Sequence, residues 1–170
     1  MTSQIILGIF LAIITVFILI ILVRTIRFKP VPMAPVTEDS IELDNDKIVK
    51  DMVDMIRCKT ISNRDEELVD REEFIKFQNL LVERFPNIHK ACKLEKIGET
   101  GLLYYLPGKS SEKPSVCMSH YDVVPVEEEG WTKPAFEGII EGECIWGRGT
   151  LDTKGTLCAI MEALEKQLQD

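Results

Sequence analysis

Apolar positions fall along the chain in three distinct rhythms. From Ile5 to Val23 the run is continuous, broken only by Gly8 and Thr15, and carries no charge. At about 1.5 Å per residue, nineteen such residues reach roughly 28 Å, close to the ~30 Å hydrocarbon core of a bilayer. A buried helix of a soluble domain keeps a polar face, and this one has none. Arg24, Arg27 and Lys29 follow directly, whereas a cleavable signal peptide has a basic start and a shorter apolar core. Residues 1–28 are therefore expected to be a single-pass membrane anchor with its basic flank. The flank favours a cytoplasmic soluble part by the positive-inside rule, on only three charges.

The second rhythm is helical. Ile48, Val49, Met52, Val53 and Ile56 repeat at i, i+1, i+4, i+5 and i+8, with Asp44 or Asn45 placed to cap them. Another helix is expected from about Glu66 to Phe85, with Leu68, Phe74, Phe77, Leu80, Leu81 and Phe85 inward and Pro86 ending it. Leu157, Ile160, Met161, Leu164 and Leu168 predict a third over Thr156–Leu168. Between the anchor and these helices, Pro30, Pro32 and Pro35 make residues 29–43 a semi-rigid linker.

After Pro86 the pattern shortens to strand length. Lys90–Ile97 alternates, Leu102–Leu106 is apolar, and Pro107-Gly108 marks a turn. Ser115–Ser119 is expected to be a short buried strand, and Gly138–Trp146 a hairpin about Gly142. Helices and strands mixed in this order predict an α/β layered domain, with a mixed sheet flanked by helices.

Composition narrows the function classes. The 170 residues hold 20 basic and 28 acidic groups; all the basic residues but Arg24, Arg27 and Lys29 lie after residue 29, giving residues 30–170 a formal charge of −11. So acidic a surface excludes nucleic acid as a partner, since that binding neutralises phosphates with Lys and Arg. The five cysteines contain no C-x-x-C pair, which argues against a zinc knuckle or a thioredoxin-type site. They are expected to serve mostly as small apolar fillers.

Two motifs carry candidate chemistry. The first is Ser119-His120-Tyr121-Asp122-Val123-Val124-Pro125. In extended backbone, side chains two apart share a face, so His120 and Asp122 are placed as a metal-ligating imidazole and the carboxylate that orients it. A lone histidine is more often structural than metal-ligating, and the spacing alone leaves both readings open. The second is Gly147-Arg148-Gly149-Thr150-Leu151-Asp152-Thr153-Lys154-Gly155. A dinucleotide loop needs glycine where Asp152 stands, and a Walker loop needs Gly-Lys-Ser/Thr where this chain reads Lys154-Gly155-Thr156. A carboxylate in a glycine-flanked turn suits a divalent cation instead, and one imidazole with a bridging Asp fits a zinc pair.

With these residues in order, together with Leu102–Tyr105, Lys113-Pro114, Gly130-Trp131, Pro134–Gly138 and Ile145-Trp146, the chain resembles a family of co-catalytic zinc metallopeptidases. That family, peptidase family M20, includes aminoacylase, acetylornithine deacetylase, succinyl-diaminopimelate desuccinylase and carboxypeptidase S. The tryptophan-and-proline block is similar to the carboxypeptidase S-like subgroup. The resemblance implies that His120 ligates one zinc, that Asp122 clamps its imidazole as a catalytic residue, and that Asp152 bridges two zinc ions, with cobalt as a substitute. It also implies a cis peptide at Asp152–Thr153. The implied activity is hydrolysis of the amide bonds of peptides or N-acyl amino acids. In the family a Glu-Glu pair, a further acidic ligand and a distant His lie downstream of the bridging Asp. Residues 44–170 are thus expected to be the N-terminal, incomplete part of a zinc-exopeptidase-like catalytic domain, inactive alone. The competing expectation is a membrane-tethered, non-enzymatic remnant or interaction module. Glu127-Glu128-Glu129 precedes the bridging Asp and is expected to be a solvated charge run.

Overall fold

The computed structural model describes residues 2–30, 42–110, 112 and 114–169. Most of the expected proline-rich linker, and Lys113, lie outside these. Two units are distinct, Met1–Glu42 and Leu43–Asp170. The first contains one helix, α1 (Thr2–Arg27), exposed around its circumference from Gln4 onward and long and apolar enough to cross a membrane.

The second unit mixes helices with small sheets. Helix α2 (Asn45–Arg57) starts where Asp44 accepts a 3.0 Å hydrogen bond from the Lys47 amide, and it buries Met52, Val53, Met55 and Ile56. Helix α3 (Arg71–Arg84) starts later than the periodicity predicts. Glu66–Leu68 forms a separate 3₁₀ turn, Asp70 caps α3 through the Glu72 amide, and Leu68 is 66% exposed rather than inward. The Asp70 carboxylate competes with helix continuation by satisfying a first-turn N–H itself. Pro86 ends α3 and opens the short α4 (Pro86–Ala91), since a proline at the first helical position sacrifices no needed donor.

Beyond α4, β1 (Lys93–Ile97) and β2 (Gly101–Tyr105) pair antiparallel, Lys93 opposite Tyr105 and Ile97 opposite Gly101. A second hairpin joins β3 (Ile139–Glu141) to β4 (Cys144–Trp146) through Gly142, whose φ of 61° favours glycine. Helix α5 (Gly155–Gln167) closes the unit. The described residues thus form two separate two-stranded sheets rather than one mixed sheet flanked by helices. Ser115–Ser119 is not a strand: it is unpaired, with Val116 76% and Met118 81% exposed. An apolar run becomes a buried strand only with a ladder partner and a covering layer, and among the described residues this segment has neither.

The main core lies between α2, α3, α4 and α5. Met55, Ile56, Phe77, Phe85 and Ile88 are fully buried there, with Leu81, Cys58, Cys158 and Met161 nearly so. Charged groups complete the packing. Lys47 on α2 bonds Asp51 at 2.8 Å and Glu162 of α5 at 2.9 Å, while Arg84 of α3 holds Asp54 at 2.8 Å. Burial and the neighbouring Asp51 push the Glu162 carboxyl up. A parallel bridge between Ile61 and Val123 then carries the chain leaving α2 alongside the His120 segment.

Candidate active site

That bridge sets the orientation of the first motif. The Val123 amide donates to the Thr60 carbonyl at 2.8 Å, and the Ser62 amide to the Val123 carbonyl at 2.9 Å. Val123 is buried, and the Tyr121 ring stacks on Phe77 at a centroid distance of 4.6 Å. With period-two alternation, these inward residues turn His120 and Asp122 to the opposite side. His120 Nδ1 lies 3.0 Å from the Asp122 carbonyl oxygen and 3.2 Å from its Oδ1.

The second motif forms by close backbone approach. Gly149 has φ 85°, and a Cβ there would stand 2.7 Å from Val123 Cγ1. A Cβ on Gly147 would stand 2.5 Å from Ile56 Cγ2. The turn departs from helical geometry at Asp152 and Thr153, whose peptide bond is cis as the resemblance implies. Lys154 anchors its far end. Its side chain is fully buried, and Nζ donates to the carbonyls of Met55 at 2.9 Å and Cys58 at 2.7 Å, beside the C-terminus of α2. Burial lowers this ammonium to about 8.

The two motifs meet. His120 Nε2 lies 3.0 Å from Asp152 Oδ1. Ser119 and Thr153 lace the segments together: the Thr153 hydroxyl donates to the His120 carbonyl at 2.8 Å and accepts from the His120 amide at 3.0 Å. The Ser119 hydroxyl donates to the Thr153 carbonyl at 2.9 Å. Neither Ser119 nor Thr153 stands out in the sequence as a site residue. The only available signal was their position beside the two motifs.

All three candidate residues, His120, Asp122 and Asp152, line one cavity of about 640 Å³, which also holds Trp131, Trp146 and Arg148 among its described walls. A slight burial works against charge on His120, but the Asp122 carbonyl and the carboxylates of Asp152 and Asp122 outweigh it and hold the imidazole above its ordinary 6.5. An imidazole whose Nδ1 proton is engaged by Asp122 turns its Nε2 lone pair toward an anionic oxygen. That pairing needs a proton or a metal cation to be favourable. One borderline nitrogen and one hard oxygen suit zinc, and the donor chemistry therefore fits. Among the described residues no group of three or more His, Cys, Asp or Glu side chains is arranged to hold a metal ion. His89 is engaged elsewhere, between the Phe85 carbonyl at 2.8 Å and the Tyr104 hydroxyl at 3.0 Å. Glu127–Glu129 is exposed, as the charge-run reading expects.

The class of protein follows from known relatives. Residues 116–170 match the model of Peptidase family M20/M25/M40. "Probable carboxypeptidase S-like 2" of Dictyostelium discoideum is 35% identical over 161 residues, covering 89% of this chain and 31% of the relative. Carboxypeptidase S of Saccharomyces cerevisiae is 43% identical over 105 residues, 58% of this chain and 18% of the relative. Human "N-fatty-acyl-amino acid synthase/hydrolase PM20D1" is 43% identical over 72 residues, 42% of this chain and 14% of the relative. The chain belongs to the M20 peptidase family, in its carboxypeptidase S-like subgroup. It spans about a third or less of the length of these relatives.

Proposed function

We propose that this chain supplies the N-terminal part of a membrane-anchored, zinc-dependent hydrolase acting on the amide bonds of peptides or N-acyl amino acids. The observation that carries the reading is the approach of His120 Nε2 to Asp152 Oδ1 at 3.0 Å, with His120 Nδ1 already engaged by Asp122. His120 would ligate one zinc, Asp152 would bridge two, and Asp122 would fix the tautomer and ring orientation of His120. Bound zinc supplies Lewis acidity, which polarises a carbonyl and makes water nucleophilic near neutral pH. Cobalt would serve in the same donor set. The general base and remaining ligands are proposed to come from sequence other than these 170 residues, which alone are proposed to be inactive. The names of the relatives, carboxypeptidase S and an N-fatty-acyl-amino acid hydrolase, support both substrate classes.

Helix α1 is proposed as the anchor, with the basic flank Arg24, Arg27 and Lys29 on the cytoplasmic side together with the soluble unit, spaced by residues 29–43. Alkaline carbonate extraction and protease protection of the expressed protein test this part. Release into the supernatant with a processed N-terminus would replace an anchor by a signal sequence.

The catalytic part is tested on the complete coding sequence. Zinc content by elemental analysis and hydrolysis of N-acyl amino acids and dipeptides should both fall in His120→Ala and Asp152→Asn. Undiminished hydrolysis and zinc content in both variants would remove the reading. No hydrolysis by a verified complete product would leave the membrane-tethered, non-enzymatic module.

A further inference from the structure

Hydroxyl groups, not a strand ladder, join the His120 segment to the Asp152 turn. Among the described residues, no backbone-to-backbone hydrogen bond links residues 116–124 to residues 147–155. Apart from the His120–Asp152 pair itself, every hydrogen bond between these segments uses the hydroxyl of Ser119 or Thr153.

Thr153 Oγ1 brackets the main chain of His120. It accepts from the His120 amide at 3.0 Å and donates to the His120 carbonyl at 2.8 Å, so one atom fixes both ends of that residue. Ser119 completes the crossing: its Oγ lies 2.8 Å from Thr153 Oγ1 and donates to the Thr153 carbonyl at 2.9 Å. Each hydroxyl thus belongs to the chain neighbour of a candidate ligand and bonds the opposite segment. Threonine is stiff at χ1, so its hydroxyl has few other places to go.

The ligand side chains have little else to hold them at their spacing. The Asp152 side chain is 84% exposed, and its hydrogen-bond contact among the described residues is His120 Nε2. Asp122 orients the His120 ring but lies on the same segment, which leaves the distance to Asp152 unset. Lys154 ties the turn to the end of α2, not to the His120 segment. Ligands on two separate segments must be kept within about 0.5 Å of their productive geometry to hold an ion well.

We propose that Thr153, assisted by Ser119, is a positioning residue of the metal site. Its hydroxyl sets the spacing of His120 and Asp152, and through it the affinity for the cation held between them. The proposal rests on the zinc reading and adds what keeps the two ligands in register before the ion arrives.

The complete coding product, stripped of metal, is titrated with cobalt(II), whose visible absorption follows binding. Thr153→Val keeps the branched shape without the hydroxyl and should bind cobalt about 10–100-fold more weakly, the usual loss for a partner that orients a ligand. Thr153→Ser should recover most of that loss, and Ser119→Ala should fall between Thr153→Val and the unmutated protein. Hydrogen exchange at the His120 amide should accelerate in metal-free Thr153→Val. Equal cobalt affinity in Thr153→Val and the unmutated protein overturns the proposal, as does unchanged exchange at His120 or a loss that Thr153→Ser does not recover. Where Thr153→Val fails to fold, Ser119→Ala decides: weaker cobalt binding upholds the clamp and unchanged binding overturns it. No cobalt uptake by the unmutated protein would instead remove the zinc reading, and this proposal with it.

Discussion

Lys154 Nζ donates a 2.9 Å hydrogen bond to the Met55 carbonyl, tying the turn that carries Asp152 to the last turn of α2. A second bond, to the Cys58 carbonyl, and the Phe77 ring 5.3 Å away complete its surroundings. Carbonyls at a helix C-terminus lack intrahelical donors, and a cation there also meets the negative end of the helix dipole. The lysine thus performs for α2 what a polar side chain does at other helix ends, while setting the approach of Asp152 to His120.

Lys154→Met keeps the apolar stem and removes the donors. The Met55 and Cys58 carbonyls each lose one of two donors, keeping the Cys58 and Thr60 amides, which costs about 0.5–1.5 kcal/mol per bond, partly offset by relief of the buried charge. Urea unfolding of the chain should show the loss as a lower midpoint. An unchanged midpoint would mean that the ammonium and the carbonyls are not bonded in solution.

A similar economy governs α4. Phe85 provides no side-chain cap, and Glu165 of α5 accepts instead from the Asn87 amide at 2.9 Å and the Ile88 amide at 3.0 Å. Glu165→Ala is expected to cost about 1–3 kcal/mol, because two first-turn N–H groups lose their side-chain acceptor. Hydrogen exchange at Asn87 and Ile88 should accelerate more than exchange within α3. Uniform acceleration would instead indicate general loosening.

Gly149→Ala should damage both fold and site. The left-handed backbone costs a β-carbon about 1–2 kcal/mol, and here that carbon also meets Val123 at 2.7 Å. Heteronuclear NMR should show the largest shifts at Val123, His120 and Asp152. Perturbation confined to residues 147–151 would contradict the contact.

The cysteines divide by burial. A brief iodoacetamide pulse at neutral pH should modify the exposed Cys117 and Cys144 and spare Cys58, Cys92 and Cys158 until the chain unfolds. Mass spectrometry of peptides reads this directly, and native labelling of Cys158 would refute its placement.

Burial also pushes the Cys158 thiol up from 9.0 to about 12. Between those values the unfolded thiol has lost its proton and the native one has not. The unfolded state then binds fewer protons, so this group's contribution is intact below pH 9 and declines as pH rises toward 12. Comparing Cys158→Ala with the unmutated chain at pH 8 and pH 10.5 isolates the effect. The unmutated chain should lose its advantage at the higher pH, and a constant difference would exclude it.

Much of the local structure was legible because its causes are local. Helix α2 follows from Asp44 and the i, i+4 spacing of Ile48, Met52 and Ile56, and the β3–β4 hairpin from glycine at its turn. The strand expected at Ser115–Ser119 failed because an apolar run does not contain its own ladder partner. No local pattern marks Thr153 as a link, yet its hydroxyl joins the two motifs. Glu162 and Glu165 read as ordinary polar positions of an amphipathic helix, but both are buried against charged or amide partners on other helices.

By itself the sequence determined the apolar span of α1, the register of the amphipathic helices, the glycine turns and the choice of His120, Asp122 and Asp152 as candidates. Each depends on spacing within a few residues, where backbone geometry decides which side chains share a face. The tertiary structure alone decided that His120 meets Asp152 across 32 residues, that Glu165 caps a helix 78 residues away, and that Arg148 lies against Trp131 in the same cavity as His120. Those contacts arise from how helices and turns pack, and packing leaves no periodicity in the chain to read.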